Sequence, residues 1–335
     1  MKGSLLVLVV GIACVLGYPV EDAAPEEQWE LIPTADGYFR LINVKDAEFQ
    51  ASLEERADFD VKFFLFTKSN PSSSQQIITG DSGSLTNSYF SASRPTRIII
   101  HGWRNDASSE VGSVVRTGYL NRGDFNVIVV DWGAGAGSLN YVTAKNNVPD
   151  AGKKVAAFIN FLNAHGASSN NIYLIGHSLG AHVSGFAGKN ANSKPNTIFG
   201  LDAALPLFSA SDSSTRLAVG DAGYVETIHT DGGRLGFDSP IGTSSFYPAW
   251  GGVQPGCGLD VAGSCSHSRS YQYFAESLQA NNQFLGQNCG DWNNLKNKVC
   301  TGGISLMGGE PSNHSIAGVF YVPVNSAYPY ATGKV

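Results

Sequence analysis

The chain is 335 residues long, 42% apolar, and carries a formal charge of −6 from 22 basic and 28 acidic residues. That apolar share can build a substantial core, which excludes a disordered chain. Acidic residues are scattered and no lysine or arginine block occurs, which argues against electrostatic capture of nucleic acid or of an anionic membrane surface, while neutral or zwitterionic partners stay open.

Lys2, the apolar run Leu5 to Leu16 and the small residue Gly17 predict a secretory signal over 1–17. The run is too short to span a bilayer, which takes about 20 apolar residues. Residues 18–30, rich in Glu, Pro and Ala, read as an exposed arm or short pro-segment, and 31–335 as a single domain. Strands are expected at Phe63–Thr67, Thr96–His101, Phe125–Asp131, Asn171–Gly176, Thr197–Leu201, Tyr224–Thr230 and Val319–Val322. Helices are expected over Pro149–Leu162, where Val155, Ala156, Phe158, Ile159 and Leu162 share a face, and over Leu179–Lys189. Short, fully apolar strands alternating with helices predict an α/β fold with a mainly parallel sheet covered on both faces.

Cys14 falls within the predicted signal, leaving Cys257, Cys265, Cys289 and Cys300. An even count in a secreted chain implies two disulfides. Four cysteines admit three pairings, and spacing favours Cys257 with Cys265 and Cys289 with Cys300. A zinc site is disfavoured because no histidine completes a ligand spacing. Asn313-His314-Ser315 is a glycosylation sequon compatible with secretion.

Gly176-His177-Ser178-Leu179-Gly180 breaks an apolar strand with a serine flanked by glycines, the pattern of a nucleophile elbow. Composition alone yields such a pentapeptide about half the time, so its surroundings must carry the reading. A serine needs a base, and the base an orienting carboxylate, in the chain order Ser, acid, His. Asp202, at the end of the strand Thr197–Leu201, lies at the sheet edge where such folds place functional groups. Of the histidines after Asp202, His229 closes a strand and reads as structural, and His314 lies in the sequon. His267, beside Cys265 in a loop ahead of a helix-like stretch, is the expected base. The oxyanion hole needs the backbone N–H of Leu179 and one from His101-Gly102-Trp103, where Gly102 lets the N–H of Trp103 face the site.

Ile100-His101-Gly102-Trp103, Gly176 through His182, Gly200-Leu201-Asp202, Phe246-Tyr247-Pro248, Gln254-Pro255-Gly256-Cys257 and Cys265-Ser266-His267 together resemble the pancreatic lipase family of secreted animal lipases. The resemblance is closest to single-domain insect and phospholipase A1-like members. It implies an α/β-hydrolase fold, a triad of Ser178, Asp202 and His267, and an oxyanion hole from the Trp103 and Leu179 amides. Three departures stand out. Ala203-Ala204 follow Asp202 where the family usually has Pro and Gly. The family's calcium loop carries two aspartates, whereas Arg216 to Asp221 here keeps only Asp221, so no metal is expected. The lid between the bracketing cysteines is only Gly258 to Ser264, too short to cover an acyl groove, which predicts little interfacial activation and a permanently accessible serine.

The expected function is a secreted serine ester hydrolase acting on lipid acyl esters, as triacylglycerol lipase or phospholipase A1, through an acyl-enzyme. No cofactor, nucleic-acid partner, transmembrane segment or colipase-type domain is expected, and the substrate is lipid or phospholipid at an aggregate surface. Phe208, Phe246, Tyr247 and Trp250 are groove candidates, with core packing as their competing role. The alternative is a silent lipid-binding or storage protein on the same fold, like yolk proteins that resemble the family without its nucleophile.

Overall fold

Apolar runs without polar alternation organise the molecule. The computed structural model describes residues 28–34, 37–53 and 58–335, so the expected signal and all but the last residues of the expected arm lie outside the described residues. In chain order the elements are β1 (Trp29–Pro33), β2 (Phe39–Asn43), α1 (Val44–Leu53), β3 (Lys62–Phe66), β4 (Gln75–Ile77), α2 (Ser82–Thr86), β5 (Thr96–Ile100), α3 (Glu110–Arg122), β6 (Asn126–Asp131), α4 (Gly133–Ala136) and α5 (Tyr141–Ala164). They continue as β7 (Ile172–His177), α6 (Leu179–Asn190), β8 (Thr197–Leu201), β9 (Tyr224–Ile228), β10 (Ser244–Pro248), α7 (Ser264–Ser277), β11 (Leu285–Asn288), α8 (Trp292–Lys296), β12 (Ile304–Leu306) and β13 (Gly318–Val322).

Strands β3 to β13 form one sheet in the order β12-β11-β13-β10-β9-β8-β7-β5-β6-β3-β4. The seven strands from β13 to β6 run parallel, and β11, β12, β3 and β4 add antiparallel edges. Every residue of β5, β7, β8 and β9 is buried, as a strand covered on both faces requires. Alternate side chains of β5 serve opposite layers. Ile98 and Ile100 join the core that includes Phe158 and Ile159 of α5 and Val183 of α6, while Ile99 joins Val115 and Tyr119 of α3 and Phe274 of α7. This is an α/β-hydrolase-type, doubly covered sheet in one domain.

The described structure adds to the sequence expectations. Helix α5 starts at Tyr141, capped by the Asn140 side chain, and carries Pro149 inside it. Val142, Ala144 and Val148 continue the buried stripe upstream of that proline, so tertiary burial outweighs the local break. Trp29 and Glu30, at the end of the expected arm, belong to β1, which pairs with β2 as an antiparallel hairpin outside the main sheet. Both expected disulfides are present, Cys257–Cys265 and Cys289–Cys300.

Candidate active site

Ser178 stands where β7 hands over to α6, with φ of +58° and ψ of −125°. A non-glycine residue there costs about 1–3 kcal/mol and persists only if its neighbours over-determine it. They do: the Ser178 N–H donates to Leu201 O at 3.1 Å, and its carbonyl accepts from Ala181 N at 3.0 Å and Ala204 N at 3.3 Å. The flanking glycines are required by contact. A Cβ on Gly176 would lie 2.2 Å from Gly180 O, and one on Gly180 would lie 2.3 Å from Ile100 O.

Gly102, just after β5, presses against the same serine, since a Cβ there would sit 2.7 Å from the Ser178 Cβ and 3.2 Å from its Oγ. Trp103 follows, with its indole N–H donating to Ser138 O at 2.7 Å and its ring edge-on to Tyr141 at 5.2 Å. Leu179 is the first residue of α6, so its N–H has no acceptor within the helix and lies at the positive end of the helix dipole.

Asp202 caps β8 at φ +45°. Its Oδ1 accepts from the N–H groups of Thr230 at 2.7 Å and Asp231 at 3.0 Å, and its Oδ2 lies 2.6 Å from His267 Nδ1. With a carboxylate at Nδ1, that nitrogen carries the proton and Nε2 is left unprotonated. Burial pushes the His267 imidazole below its ordinary range, which keeps it neutral near pH 7. Burial also raises the Asp202 carboxyl, and the two backbone N–H groups oppose that rise. His267 is not loop-borne as the sequence suggested. It sits in the first turn of α7, its N–H donating to Gly263 O at 2.8 Å.

Ser178, His267, Gly102 and Trp103 line one cavity of about 250 Å³. Sequence reading missed part of its wall: Pro33, Thr34, Gly37 and Tyr38 of the β1–β2 hairpin also line it, as do Ala262 and Ser264 of the cysteine-bracketed loop. Pro206 borders both this cavity and a neighbouring one of about 480 Å³ with Leu31, Phe39, Leu205, Phe208 and Val261 in its wall. A larger groove of about 610 Å³ between α3 and α7 contains none of these groups.

His177 was also missed. Its ring lies 4.4 Å from that of His267, with Nε2 3.2 Å from His267 O, and burial drives its pKa well below the ordinary value. No spacing signal could reveal it, because the contact spans 90 residues. His229 is structural as expected, fully buried between Thr227 Oγ1 and Phe237 O, both at 2.8 Å. Among the groove candidates, Phe246 stacks on Phe320, Tyr247 on His229 and Trp250 on Tyr321, so core packing claims these three and only Phe208 borders the adjoining cavity. Among the described residues, the one group with metal-ligand proximity is Cys257, Asp260 and Cys265, and its two sulfurs are bonded to each other.

A family model described as Lipase matches residues 37–315. Lipase member H-A of Xenopus laevis is 36% identical over 270 residues, covering 78% of this chain and 57% of that protein. Pancreatic triacylglycerol lipase of Homo sapiens is 34% identical over 278 residues, covering 75% and 59%. The chain thus aligns with under two thirds of the length of these relatives. A solved α/β-hydrolase from a deep-sea metagenome library is 15% identical, covering 52% of this chain and 65% of its own, at a TM-score of 0.27, too loose to add to the topology above. With a lipase model spanning most of the globular part and relatives about a third identical over some three quarters of the whole chain, the chain belongs to the pancreatic lipase family.

Proposed function

We propose that this chain is a secreted serine hydrolase that cleaves acyl esters of lipids, either triacylglycerol or the sn-1 ester of phospholipid. The observation that carries the reading is the 2.6 Å contact between His267 Nδ1 and Asp202 Oδ2, made by an imidazole that shares its cavity with Ser178. In the proposed reaction Ser178 Oγ attacks the ester carbonyl while His267 Nε2 takes its proton. The Trp103 and Leu179 amides receive the developing oxyanion, a contribution of about 10²–10³-fold per donor. Collapse expels the alcohol with the proton returned from Nε2, and water, activated by the same nitrogen, then hydrolyses the acyl-enzyme.

A lipid substrate is supported by the apolar wall that runs from the serine cavity past Pro206 toward Leu205 and Phe208. Tyr38 and Val261, which border these two cavities, expose apolar surface suited to a lipid aggregate, and Leu259 of the same bracketed loop as Val261 is exposed as well. The decisive test is covalent labelling by a fluorophosphonate. Wild type is expected to label and Ser178→Ala to be silent; an unlabelled wild type would leave the storage-protein reading standing. Hydrolysis of positionally labelled phosphatidylcholine beside triolein then reads substrate class and ester position together.

A further inference from the structure

The segment leaving Asp202 returns to β9 through Arg216 to Asp221, and it is laid against α6, the helix that begins at the proposed nucleophile. Two helix glycines make the approach: a Cβ on Gly185 would lie 2.7 Å from Leu217 Cα, and one on Gly188 would lie 2.0 Å from Asp221 O. Higher on the same face, His182 accepts the Leu217 N–H at Nδ1 at 3.1 Å, so its Nε2 carries the proton and donates to Ala204 O at 2.7 Å.

The last turn of α6 brings Lys189 onto this segment. Its Nζ lies 2.6 and 2.5 Å from the two carboxylate oxygens of Asp221 and 2.9 Å from Arg216 O. Three oxygens converge on one ammonium, which has three protons to give and no lone pair to offer a metal. The pair is largely withdrawn from solvent, the Lys189 side chain 23% and the Asp221 side chain 7% exposed. Neighbouring carbonyls are also held by cations: Arg216 donates to Ser209 O, Ala210 O and Leu217 O, and Lys194 donates to Gly220 O.

The family resemblance implies a calcium ion at this loop, and the residues present do not fit one. Calcium takes six to eight oxygens. Here the only carboxylate in Arg216 to Asp221 is neutralised by Lys189, and the Arg216 guanidinium adds further positive charge beside it. We propose that the Lys189 ammonium does the work of a divalent ion, tying the loop that follows Asp202 to the helix that follows Ser178 with a cation built into the chain. The fold, and the loop behind the active site, then need no calcium.

Thermal unfolding of the full chain in calcium and in chelator tests this without recourse to activity. Wild type is expected to melt at the same temperature in both, with no heat of calcium binding by calorimetry. Lys189→Met is expected to lower the melting temperature by about 5 °C or more, since it leaves the Asp221 carboxylate buried without its cation, with the Ala218 N–H at 2.9 Å still donating to it. If Lys189→Met does not yield folded protein, Asp221→Asn keeps the shape, removes the charge, and should melt below wild type in both solutions. A wild-type melting temperature that climbs with calcium overturns the proposal, and so does a Lys189→Met or Asp221→Asn protein as stable as wild type.

Discussion

Gly236 shows how tightly the acid of the candidate triad is enclosed. A Cβ there would lie 2.4 and 2.5 Å from the two carboxylate oxygens of Asp202, which the Thr230 and Asp231 amides already hold in place. Gly236→Ala should therefore displace the carboxylate from His267 and lower kcat/KM on a soluble ester by about 10²-fold, a cost typical of a misplaced catalytic group. Unchanged circular dichroism would separate this from unfolding. The pH profile belongs to the same scale. A protonated imidazole cannot take the serine proton, and burial lowers the His267 pKa, so kcat/KM should hold down to about pH 6.5 and fall only below it. A limb centred above that pH would contradict the assignment. Ser178, Asp202 and His267 could be nominated from sequence because they follow one another in the chain order expected of a nucleophile, its acid and its base. Gly236 and His177 could not, because their roles exist only as contacts between segments far apart in the chain.

Helix α7 shows what sequence pattern conceals. Ser264-Cys265-Ser266-His267-Ser268 is poor in helix formers, so local propensity hides the helix that carries the imidazole. Its helix is started instead by the short bracketed loop. Asp260 accepts the N–H of Cys265 at 3.2 Å and of Ser266 at 2.7 Å, Arg234 donates to Asp260 O, and the Cys257–Cys265 bridge closes the base of the loop. Asp260→Ala should cost about 1 kcal/mol of stability, as loss of a helix cap does, read by urea denaturation. It should also slow fluorophosphonate labelling, because the capped turn is the one that carries His267. The central strands were legible since burial on both faces strips them of polar residues. The β1–β2 hairpin was not: β1 and β2 are short and only Ile32 among them is buried, and the composition just before them argues for an arm.

Across the whole molecule, a buried ion pair joins the middle of the sheet to the C-terminal region. Arg97 on β5 gives both Nε and Nη2 to Glu310 at 2.8 Å and lies 3.7 Å above the Tyr173 ring, with side chains only 3% and 10% exposed. Removing one partner strands the other charge, so Arg97→Ala should destabilise by about 3–5 kcal/mol, seen as a lower denaturant midpoint. The two partners stand 213 residues apart in the chain. His267 likewise follows its carboxylate partner by 65 residues, and the elbow serine precedes both. During synthesis the proposed nucleophile therefore leaves the ribosome well before its base, and the sheet receives its Glu310 anchor later still. On this reading a growing chain cannot bring His267 to Asp202 and Ser178 until it has been made beyond residue 267.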